Sequence, residues 1–523
     1  MMSEFMSTIM TQKQEEIECR RENNVPQIAV LLSGGGLTAS LGTLGSLWEL
    51  KNQNLLDAVT YLPGCSGSIW CMASLYEKGD WTQNLDSIAT EMCDKLASLS
   101  FDAKKGLEKL LEAAEQDNYS LTHFWAYGIV NYTTKEIIEN GISSHRALCE
   151  SGSVPYPIYS AADKQQLNIK GRNNAGTWFQ FTPHEAGYPL LGAFVSSELF
   201  DSKFNNNKLQ KKKPEKDLCY LEAICSSALA DPEQATKLII EKVFELVVTP
   251  YLTPLNLITG LSSAVPVLEN HTEVFSSISN MQKIINESAD DSKAVLENLL
   301  TSLSVVRDKA SCQLVKLMND RWVANGEEEK TNLASILNLL LHVEMKELVR
   351  TWSFLKSLTC EQKDFCKSIP SDIIDKEVRY LVDAGLAINS PYPYILRKEQ
   401  NVKVIISFEY FPLVDPFLGI KHAVDYCKAH NIPFPKVEID PADWFNPKDC
   451  YIFEGENVPT VIHIPLFNRV TSEGEVQLRT AQYNIARLQY SKEEIDTLID
   501  VTRKNVRNNI KKMKDAIQKK CNN

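Results

Sequence analysis

A serine stands in a tight glycine turn, Gly64–Ser68 with the sequence GCSGS, between an apolar run and an apolar helical pattern. This is the setting of a nucleophile elbow, a strained turn between a strand and a helix that lifts a serine hydroxyl above a sheet. The amino end of the following helix would favour the negative charge that develops when an ester is attacked. The pattern therefore predicts that Ser66 is a nucleophile. The alternative is a serine that only caps the helix or completes the turn.

Three consecutive glycines, Gly34, Gly35 and Gly36, follow Ser33 at the end of an earlier apolar run. Their backbone amides are exposed with no side chain in the way, which is the geometry of an anion cradle. The dinucleotide fingerprint G-x-G-x-x-G and the lysine of a P-loop are both absent, which excludes those two kinds of phosphate site. With a candidate elbow one strand later, we predict that the three glycines form an oxyanion hole. The alternative is a flexible glycine turn.

A nucleophilic serine needs a base, and the sequence offers a carboxylate in a suitable place. Asp383 ends the apolar run Tyr380–Asp383 and is followed by a turn at Gly385. A carboxylate held in a cleft of low dielectric has a raised pKa and can accept the hydroxyl proton directly. We therefore predict a dyad of Ser66 and Asp383 without histidine. The alternative for Asp383 is a structural Asx-turn.

Histidine is the usual partner of a catalytic serine and is the competing choice. None of the eight histidines stands in a compelling loop at a strand end, and we interpret His184, in a turn, and His463, inside an apolar run, as structural. A Ser–His–Asp hydrolase that uses His463 is the alternative. It is disfavoured because Ser68 replaces the second glycine of the G-x-S-x-G elbow and no HGGG-type motif accompanies it.

The elements that would position these residues are short apolar runs bounded by Pro, Asn and Gly, which predict buried strands. The predicted strands are Gln27–Leu32, Val59–Pro63, Pro157–Asp163, Trp178–Thr182, Tyr380–Asp383, Val402–Ser407 and Thr460–Ile464. The first two are each followed by a glycine turn and a helical pattern, and successive units of this kind imply a parallel sheet. The predicted fold class is α/β, with a mostly parallel central sheet flanked by helices.

The organisation along the chain is predicted to be one large α/β domain over residues 25–500, after a flexible N-terminal segment over residues 1–24. Long helical patterns over about residues 231–369 predict a helical insertion, opened by the cap and first-turn proline Asp231-Pro232. Because it lies between the two candidate catalytic residues, we expect it to form a lid. The basic stretch Asn205–Lys216 lacks apolar periodicity and contains a proline, which predicts a loop.

Residues 501–523 belong to a basic amphipathic helix that begins near Ile495. Two interpretations are open. The apolar stripe could pack on the domain while the basic faces are solvated, which is the more frequent arrangement. The basic faces could instead lie on an anionic membrane surface.

The composition excludes several classes of protein. The 523 residues carry a net charge of −12, which argues against a nucleic-acid partner because phosphate binding needs a basic face. No apolar stretch is long enough for a membrane span, and the first residues lack the apolar core of a signal peptide, so a cytosolic protein is expected. The 13 cysteines are then expected to be reduced, and their spacing suggests no metal site.

The three motifs SGGG, GCSGS and DAG, in this order, resemble those of the cytosolic (group IV) phospholipase A2 family, which is related to patatin-like lipases with a Ser–Asp dyad. Similar stretches run from about Val25 to Asn468, and the gamma type, which lacks the calcium-binding module of its relatives, is the most similar. The matching stretches are NYSLTHFWAY (Asn118–Tyr127), PYPIYSAAD, TWFQFTPHEAG (Thr177–Gly187), LGAFV, DAGLAINSPYP, VIISFEY and IPLFN (Ile464–Asn468).

The resemblance implies calcium-independent hydrolysis of the fatty acyl esters of phospholipids and lysophospholipids. It implies an acyl-enzyme on Ser66, Asp383 as base, and the amides of Gly35 and Gly36 as oxyanion donors. No metal or cofactor is implied. The expected partners are the lipid substrates and a membrane surface on which a cytosolic protein binds peripherally, and no nucleic acid is expected.

Two departures from the family pattern bear on function. The family carries an arginine just after the glycine loop, thought to hold the substrate phosphate, and this chain has Thr38 there. A hydroxyl cannot replace a bidentate guanidinium, so Arg397 or the lysines of Asn205–Lys216 are the candidates to compensate. The alternative function is a catalytically weak or inactive lipid-binding homologue. Cys521 is followed by two residues rather than the three of a prenylation box, so prenylation is not predicted.

Overall fold

The computed structural model of the protein describes residues 26–98, 101–114, 120–205, 208–227, 350–356, 369–411, 415–485 and 487–521. The chain divides into two compact units. One comprises residues 1–101, 130–228 and 349–523, and the other comprises residues 102–129 and 229–348. The candidate catalytic motifs all belong to the first unit.

The described strands fall into one large sheet and one hairpin. The strands are Gln27–Leu32 (β1), Tyr61–Gly64 (β2), Tyr156–Asp163 (β3), Trp178–Phe181 (β4), Glu185–Tyr188 (β5), Ala193–Ser196 (β6), Lys203–Asn205 (β7), Lys208–Lys211 (β8), Arg350–Trp352 (β9), Val378–Asp383 (β10), Val402–Glu409 (β11), Tyr451–Phe453 (β12) and Thr460–Pro465 (β13). Eleven of them form one sheet: nine follow the order β12-β13-β11-β1-β2-β3-β4-β5-β6, β10 pairs with β3, and β9 pairs with β10. The other two, β7 and β8, form a separate antiparallel pair.

The centre of the sheet is parallel and both of its sides continue as antiparallel strands. Strands β13, β11, β1, β2 and β3 run in one direction. Their side chains are almost all buried, as expected for strands that are covered by helices on both faces. The predicted α/β class with a mostly parallel central sheet is confirmed, and each of the seven predicted strands is present to within a few residues.

Strand β10 reaches the candidate elbow in an unexpected direction, because it runs antiparallel to β3. Ala161 and Ala162 of β3 pair with β4 on one edge and with β10 on the other. Since β2 pairs with the earlier part of β3, β10 shares the β3 edge that β2 uses. Strand β10 therefore runs towards the carboxyl end of β2, and its last residue, Asp383, ends beside it.

The described helices are Gly36–Asn52 (α1), Gly67–Tyr76 (α2), Leu85–Ala97 (α3), Ala103–Ala114 (α4), Leu121–Phe124 (α5), Asn131–Thr134 (α6), Arg146–Glu150 (α7), Lys164–Lys170 (α8), Leu218–Cys225 (α9), Ser371–Ile374 (α10), Leu418–Ala429 (α11), Val476–Gln482 (α12) and Lys492–Cys521 (α13). A π-helix covers Trp125–Val130. Helices α1 and α2 begin within the two glycine motifs, at Gly36 and Gly67. Among the described residues, no helix is long and apolar enough to cross a bilayer.

The C-terminal helix is one continuous element, so the expected boundary at residue 500 falls inside α13. Its apolar stripe is buried, and the helix packs on α1 so closely that a Cβ added to Gly45 would overlap Thr502 Oγ1. Buried Glu49 of α1 accepts hydrogen bonds from Arg503 and Arg507. Of the two interpretations of this helix, the structure has the packed apolar stripe, and two of its basic residues bind Glu49.

The prediction of a loop over Asn205–Lys216 was wrong for Asn205 and Lys208–Lys211, which belong to a hairpin, whereas residues 212–216 form neither helix nor strand. Strand β8 is fully exposed and β7 is only partly buried. The pair therefore has no buried apolar face, and the apolar periodicity that reveals strands is missing.

Two expectations on organisation fall on residues that the structure does not describe. The N-terminal segment of residues 1–24 lies outside the described residues. So does nearly all of the predicted helical insertion, together with its proposed role as a lid. Inside its predicted bounds the structure describes residues 350–356, where β9 pairs with β10, and residue 369.

Candidate active site

Ser66 stands at the junction of β2 and α2 with a backbone conformation that is rare for a residue with a side chain. Its φ is 53° and its ψ is −128°. A non-glycine residue in this region stores strain, and such strain is found at functional sites. Ser66 is 9% exposed and precedes the ten-residue helix α2. The predicted strand, turn and helix of an elbow are therefore all present.

The two glycine motifs are in direct contact, which explains why small residues are needed in both. A Cβ added to Gly67 would overlap Gly36 O, and one added to Gly34 would lie 2.8 Å from Ser66 Cβ. Gly35 and Gly36 have φ values of 151° and 59°. Such values suit glycine, because other residues adopt them only with strain. The glycine loop therefore lies against the serine turn.

The amides of the three glycines are not equivalent. Gly34 N–H donates to Asn389 O at 3.2 Å and is used by the fold. Gly35 is the N-cap of α1 and Gly36 is its first residue. Amides at the first turn of a helix have no acceptor within the helix and can donate to a ligand. Within the loop, the amides of Gly35 and Gly36 are therefore better placed to donate to a ligand, and their role as oxyanion donors stays a prediction.

Asp383 is fully buried at the end of β10 and contacts the residue next to the serine. Its Oδ1 accepts a hydrogen bond from Gly385 N–H at 2.7 Å and one from Cys65 Sγ at 3.5 Å. Its own N–H donates to Ser227 Oγ at 3.2 Å. Burial, together with the nearby Asp383 carboxylate, raises the pKa of the Cys65 thiol well above its usual range, so Cys65 is a neutral donor.

Asn389 supports both the glycine loop and the turn after Asp383. Its Nδ2 donates to Gly34 O at 3.2 Å, while its own carbonyl accepts from Gly34 N–H. A Cβ added to Gly34 would lie 2.5 Å from Asn389 Oδ1, and one added to Gly385 would lie 2.9 Å from the same atom. The side chain of Asn389 therefore fills the space between Gly34 and Gly385.

Glu409 holds Asn389 in turn. Its carboxylate accepts from Asn389 Nδ2 at 3.2 Å and from Ser390 Oγ at 2.8 Å. Burial raises the pKa of Glu409 to about 6, although hydrogen bonds from Ser390, Ser33 and Asn389 act in the opposite direction. Sequence reasoning missed both residues. Asn389 lies six residues after Asp383, and Glu409 ends a buried parallel strand. Polar residues near such strand ends are a signal for a site.

Thr38 lies on α1 behind the glycine loop and is fully buried. Its Oγ1 donates to Tyr483 O at 3.1 Å and lies 2.8 Å from Tyr490 OH. Arg487 stacks over the ring of Tyr490 and binds Glu494 with both terminal nitrogens. The segment before α13 therefore covers the position at which the family pattern has an arginine.

Arg397 is the N-cap of a short 3-10 helix, Lys398–Gln400, and lies five residues before β11 begins. The charge of Arg397 acts on Glu185 of β5, where it opposes the rise in pKa that burial causes. Its contact with the substrate phosphate stays a prediction.

Among the lysines of Asn205–Lys216, Lys216 contacts two residues of its own neighbourhood. Lys216 Nζ pairs with buried Asp201 Oδ2 at 3.3 Å and lies over the ring of Tyr220. The hairpin strand β8 is exposed.

His463, the base of the competing hypothesis, and His184 both make contacts within the fold. His463 is fully buried in β13, its Nε2 is 3.0 Å from Pro416 O, and burial lowers its pKa to about 4. His184 contacts Tyr156 and Glu150 through its two ring nitrogens. In the described part of the chain, no group of three or more His, Cys, Asp or Glu side chains could hold a metal ion.

Comparison with known sequences gives consistent matches. The family model described as a lysophospholipase catalytic domain matches residues 28–224. The chain is 33% identical over 523 residues to cytosolic phospholipase A2 gamma of Mus musculus, with 94% of this chain and 87% of the relative covered. It is 33% identical over 497 residues to the Homo sapiens protein of the same name, with 94% and 89% covered.

Comparison with solved structures gives the same fold. Human GIVD cytosolic phospholipase A2 matches with a TM-score of 0.68 and 23% identity, over 100% of this chain and 63% of that chain. A second structure of that protein, in complex with methyl gamma-linolenyl fluorophosphonate, matches with a TM-score of 0.63 and 22% identity. At this level of identity the likeness concerns the fold.

Proposed function

The chain belongs to the cytosolic phospholipase A2 family, and on that premise we propose that it hydrolyses fatty acyl esters of glycerophospholipids and lysophospholipids without calcium. Ser66 is the nucleophile and Asp383 is the base. The observation that carries the proposal is the contact of Asp383 Oδ1 with Cys65, the residue next to Ser66, at 3.5 Å. Through this contact, the buried carboxylate of Asp383 lies close to the strained Ser66, although the two residues are 317 positions apart in the chain.

In the first half of the reaction, Ser66 Oγ attacks the ester carbonyl carbon while Asp383 takes the hydroxyl proton. The oxyanion that forms is stabilised by the amides of Gly35 and Gly36 and by the amino end of α2. When the tetrahedral intermediate collapses, the ester bond breaks and the leaving alcohol receives the proton from Asp383. The acyl group remains on Ser66.

In the second half, a water molecule attacks the acyl-enzyme. Asp383 accepts a proton from this water, and the same amides stabilise the second oxyanion. Collapse of this intermediate returns the proton to Ser66 Oγ and releases the fatty acid. No metal takes part in either half.

The substrate phosphate is not bound at Thr38 in this proposal. The Thr38 hydroxyl is fully buried and engaged by Tyr483 and Tyr490. Phosphate binding mainly lowers KM, whereas the chemistry depends on the dyad and the oxyanion donors. We therefore expect activity that discriminates weakly between esters with and without a phosphate group.

A catalytically silent lipid-binding homologue is the second candidate, and the covered position of Thr38 is the observation that favours it. The decisive experiment is release of fatty acid from radiolabelled lysophosphatidylcholine and phosphatidylcholine in the presence of a chelator. The parent protein is compared with Ser66→Ala and Asp383→Asn. Activity in the parent alone supports the calcium-independent dyad, and no activity in a parent that still binds lipid vesicles supports the second candidate.

We also propose that the protein acts as a cytosolic enzyme that binds membranes peripherally. The apolar stripe of α13 is buried, so this helix has little apolar surface to insert. Trp444, Phe445 and Leu478 are exposed by 41%, 59% and 62%, and we call them the apolar tip. Trp444 lines a cleft with Phe411, which follows β11 at the edge of the sheet where the glycine loop lies. We expect the apolar tip to contact the lipid surface.

A further inference from the structure

We propose that Glu409 is a positioning residue of this active site, which acts through Asn389 to fix both the glycine loop and the turn after Asp383. The proposal rests on the function proposed above. Glu409 does not touch the reacting atoms. Its effect is on the groups that do.

Two side-chain donors, one on each of two consecutive residues, bind the Glu409 carboxylate. Glu409 Oε1 accepts from Asn389 Nδ2 and Oε2 accepts from Ser390 Oγ. Each oxygen therefore binds one of two consecutive residues of the chain after Asp383. A carboxylate suits this arrangement because it offers acceptors at both oxygens.

The orientation of the Asn389 amide is fixed by two acceptors. Its Nδ2 has two acceptors, Glu409 Oε1 and Gly34 O, both at 3.2 Å. If the amide turned over, its oxygen would face these two oxygens and both hydrogen bonds would become repulsive contacts. Ionised Glu409 therefore selects the orientation in which Asn389 binds Gly34.

Asn389 contacts both the glycine loop, at Gly34, and the turn after Asp383, at Gly385. Gly34 is held by Asn389 through its N–H and its carbonyl, and its Cα lies against Ser66. On the other side, Asn389 Oδ1 lies against Gly385, whose N–H holds Asp383 Oδ1. A shift of Asn389 would therefore move the loop that precedes the proposed oxyanion donors and the turn that orients the base.

Burying the carboxyl group of Glu409 costs free energy. Glu409 is only 5% exposed, and burial disfavours its charged form. A buried charge contributes little to stability compared with a well-packed neutral group. Its presence is explained by the geometry that it imposes on Asn389 and Ser390.

The test compares Glu409→Gln with the parent in steady-state hydrolysis of lysophosphatidylcholine. Glutamine keeps the shape but has one acceptor oxygen, so it cannot accept from Asn389 and Ser390 together. We expect kcat to fall by about 10- to 100-fold, the range for a small misplacement of reacting groups, with KM changed by less than about twofold. A residue that only stabilises the fold would lower the amount of active protein and leave the kcat of the folded fraction unchanged.

The rate at which a fluorophosphonate labels Ser66 gives a second readout. Ser66 Oγ forms a bond to phosphorus, fluoride leaves, and the hydroxyl proton passes to Asp383. Labelling measures the nucleophile, the base and the oxyanion donors without the acyl step. We expect the labelling rate of Glu409→Gln to fall by the same factor as kcat.

Glu222→Gln is the matched control, because Glu222 is also a buried glutamate and lies on α9, an element that carries none of the residues of the proposed site. Its kcat and labelling rate should equal those of the parent. If Glu409→Gln does not fold, Ser390→Ala removes one of the two hydrogen bonds and leaves the carboxylate in place, and a smaller fall in kcat is expected.

Unchanged kcat and labelling in every folded variant at Glu409 and Ser390, with Ser66→Ala inactive, would overturn the positioning role and leave the proposed function standing. Full activity of Ser66→Ala would instead overturn the proposed function itself.

Discussion

Thr38 joins the helix behind the glycine loop to the C-terminal region through hydrogen bonds to Tyr483 and Tyr490. Replacement by valine keeps the shape and removes both bonds. We expect Thr38→Val to lower the free energy of unfolding by about 1 to 3 kcal/mol, since buried polar partners are left unsatisfied. Denaturant unfolding measures the change.

Thr90→Val is the matched control for this prediction, because Thr90 is an exposed threonine of α3. Threonine and valine have similar helix propensities, and we expect a change within about 0.5 kcal/mol. Thr38→Arg should be more destabilising than Thr38→Val, because the guanidinium has no space at a fully buried position. A stable Thr38→Arg protein with faster phospholipid turnover would contradict this account of the site.

Glu222 predicts a pH dependence of stability. Burial raises its pKa well above the usual range, so the folded protein keeps a proton that the unfolded chain loses near the ordinary glutamate pKa. The contribution of protonated Glu222 to the free energy of unfolding is complete at pH values below that ordinary pKa. It falls as the pH rises, by up to about 1.4 kcal/mol per pH unit.

Glutamine removes this dependence. We expect Glu222→Gln to be more stable than the parent at pH 7 and to approach the parent's stability at pH 4. Chemical denaturation at a series of pH values measures the difference. An equal difference at every pH would mean that Glu222 does not titrate between the two states.

At the scale of elements, the contact of α1 with α13 depends on the absence of a side chain at Gly45. A Cβ there would overlap Thr502 Oγ1. Alanine is the better helix former by about 1 kcal/mol, but overpacking costs about 1 to 3 kcal/mol. We expect Gly45→Ala to lower the melting temperature.

A double-mutant cycle separates the two effects. Thr502→Ala removes the atom with which the added methyl group collides. We expect Gly45→Ala to be less harmful in the Thr502→Ala background than in the parent, with a coupling free energy of about 1 kcal/mol or more. Additive changes in unfolding free energy would argue against close packing of α13 on α1.

The elements themselves were largely predictable because each buried strand is a short continuous apolar run. Strands β1, β3 and β11 were found with at most two residues of difference at either end. The hairpin of β7 and β8 was missed because neither strand has a buried apolar face. The direction of β10 was also beyond local reasoning, since it depends on pairing with β3, more than 200 residues earlier.

At the scale of the whole molecule, the apolar tip predicts how the protein meets its substrate. Exposed aromatic and aliphatic side chains lose water contact when they enter the lipid interface. We expect Phe445→Ser with Leu478→Ser to weaken binding to phosphatidylcholine vesicles by about tenfold in a flotation assay. Hydrolysis of a monomeric short-chain lysophospholipid should be unchanged.

Two controls distinguish the apolar tip from other surfaces. Ile452→Ser changes an exposed apolar residue of the edge strand β12, which is 40% exposed, and should bind vesicles like the parent. Lys511→Glu reverses a charge on the exposed face of α13. Loss of binding in Lys511→Glu, with binding retained in the apolar-tip variant, would assign the membrane contact to α13 instead.

The sequence by itself determined what depends on neighbouring residues. A strand, a glycine turn and a helix are contiguous in the chain, so Ser66, the glycine loop and the α/β class could be predicted from local pattern. The turn after Asp383 is local as well.

Only the tertiary structure decided which separate segments meet. Thr38 and Tyr490 are 452 residues apart, and Asn389 and Gly34 are 355 residues apart. Their contacts bury Thr38, engage the Gly34 amide and connect Glu409 to the site. Such contacts follow from strand order and close packing in three dimensions, which no local spacing encodes.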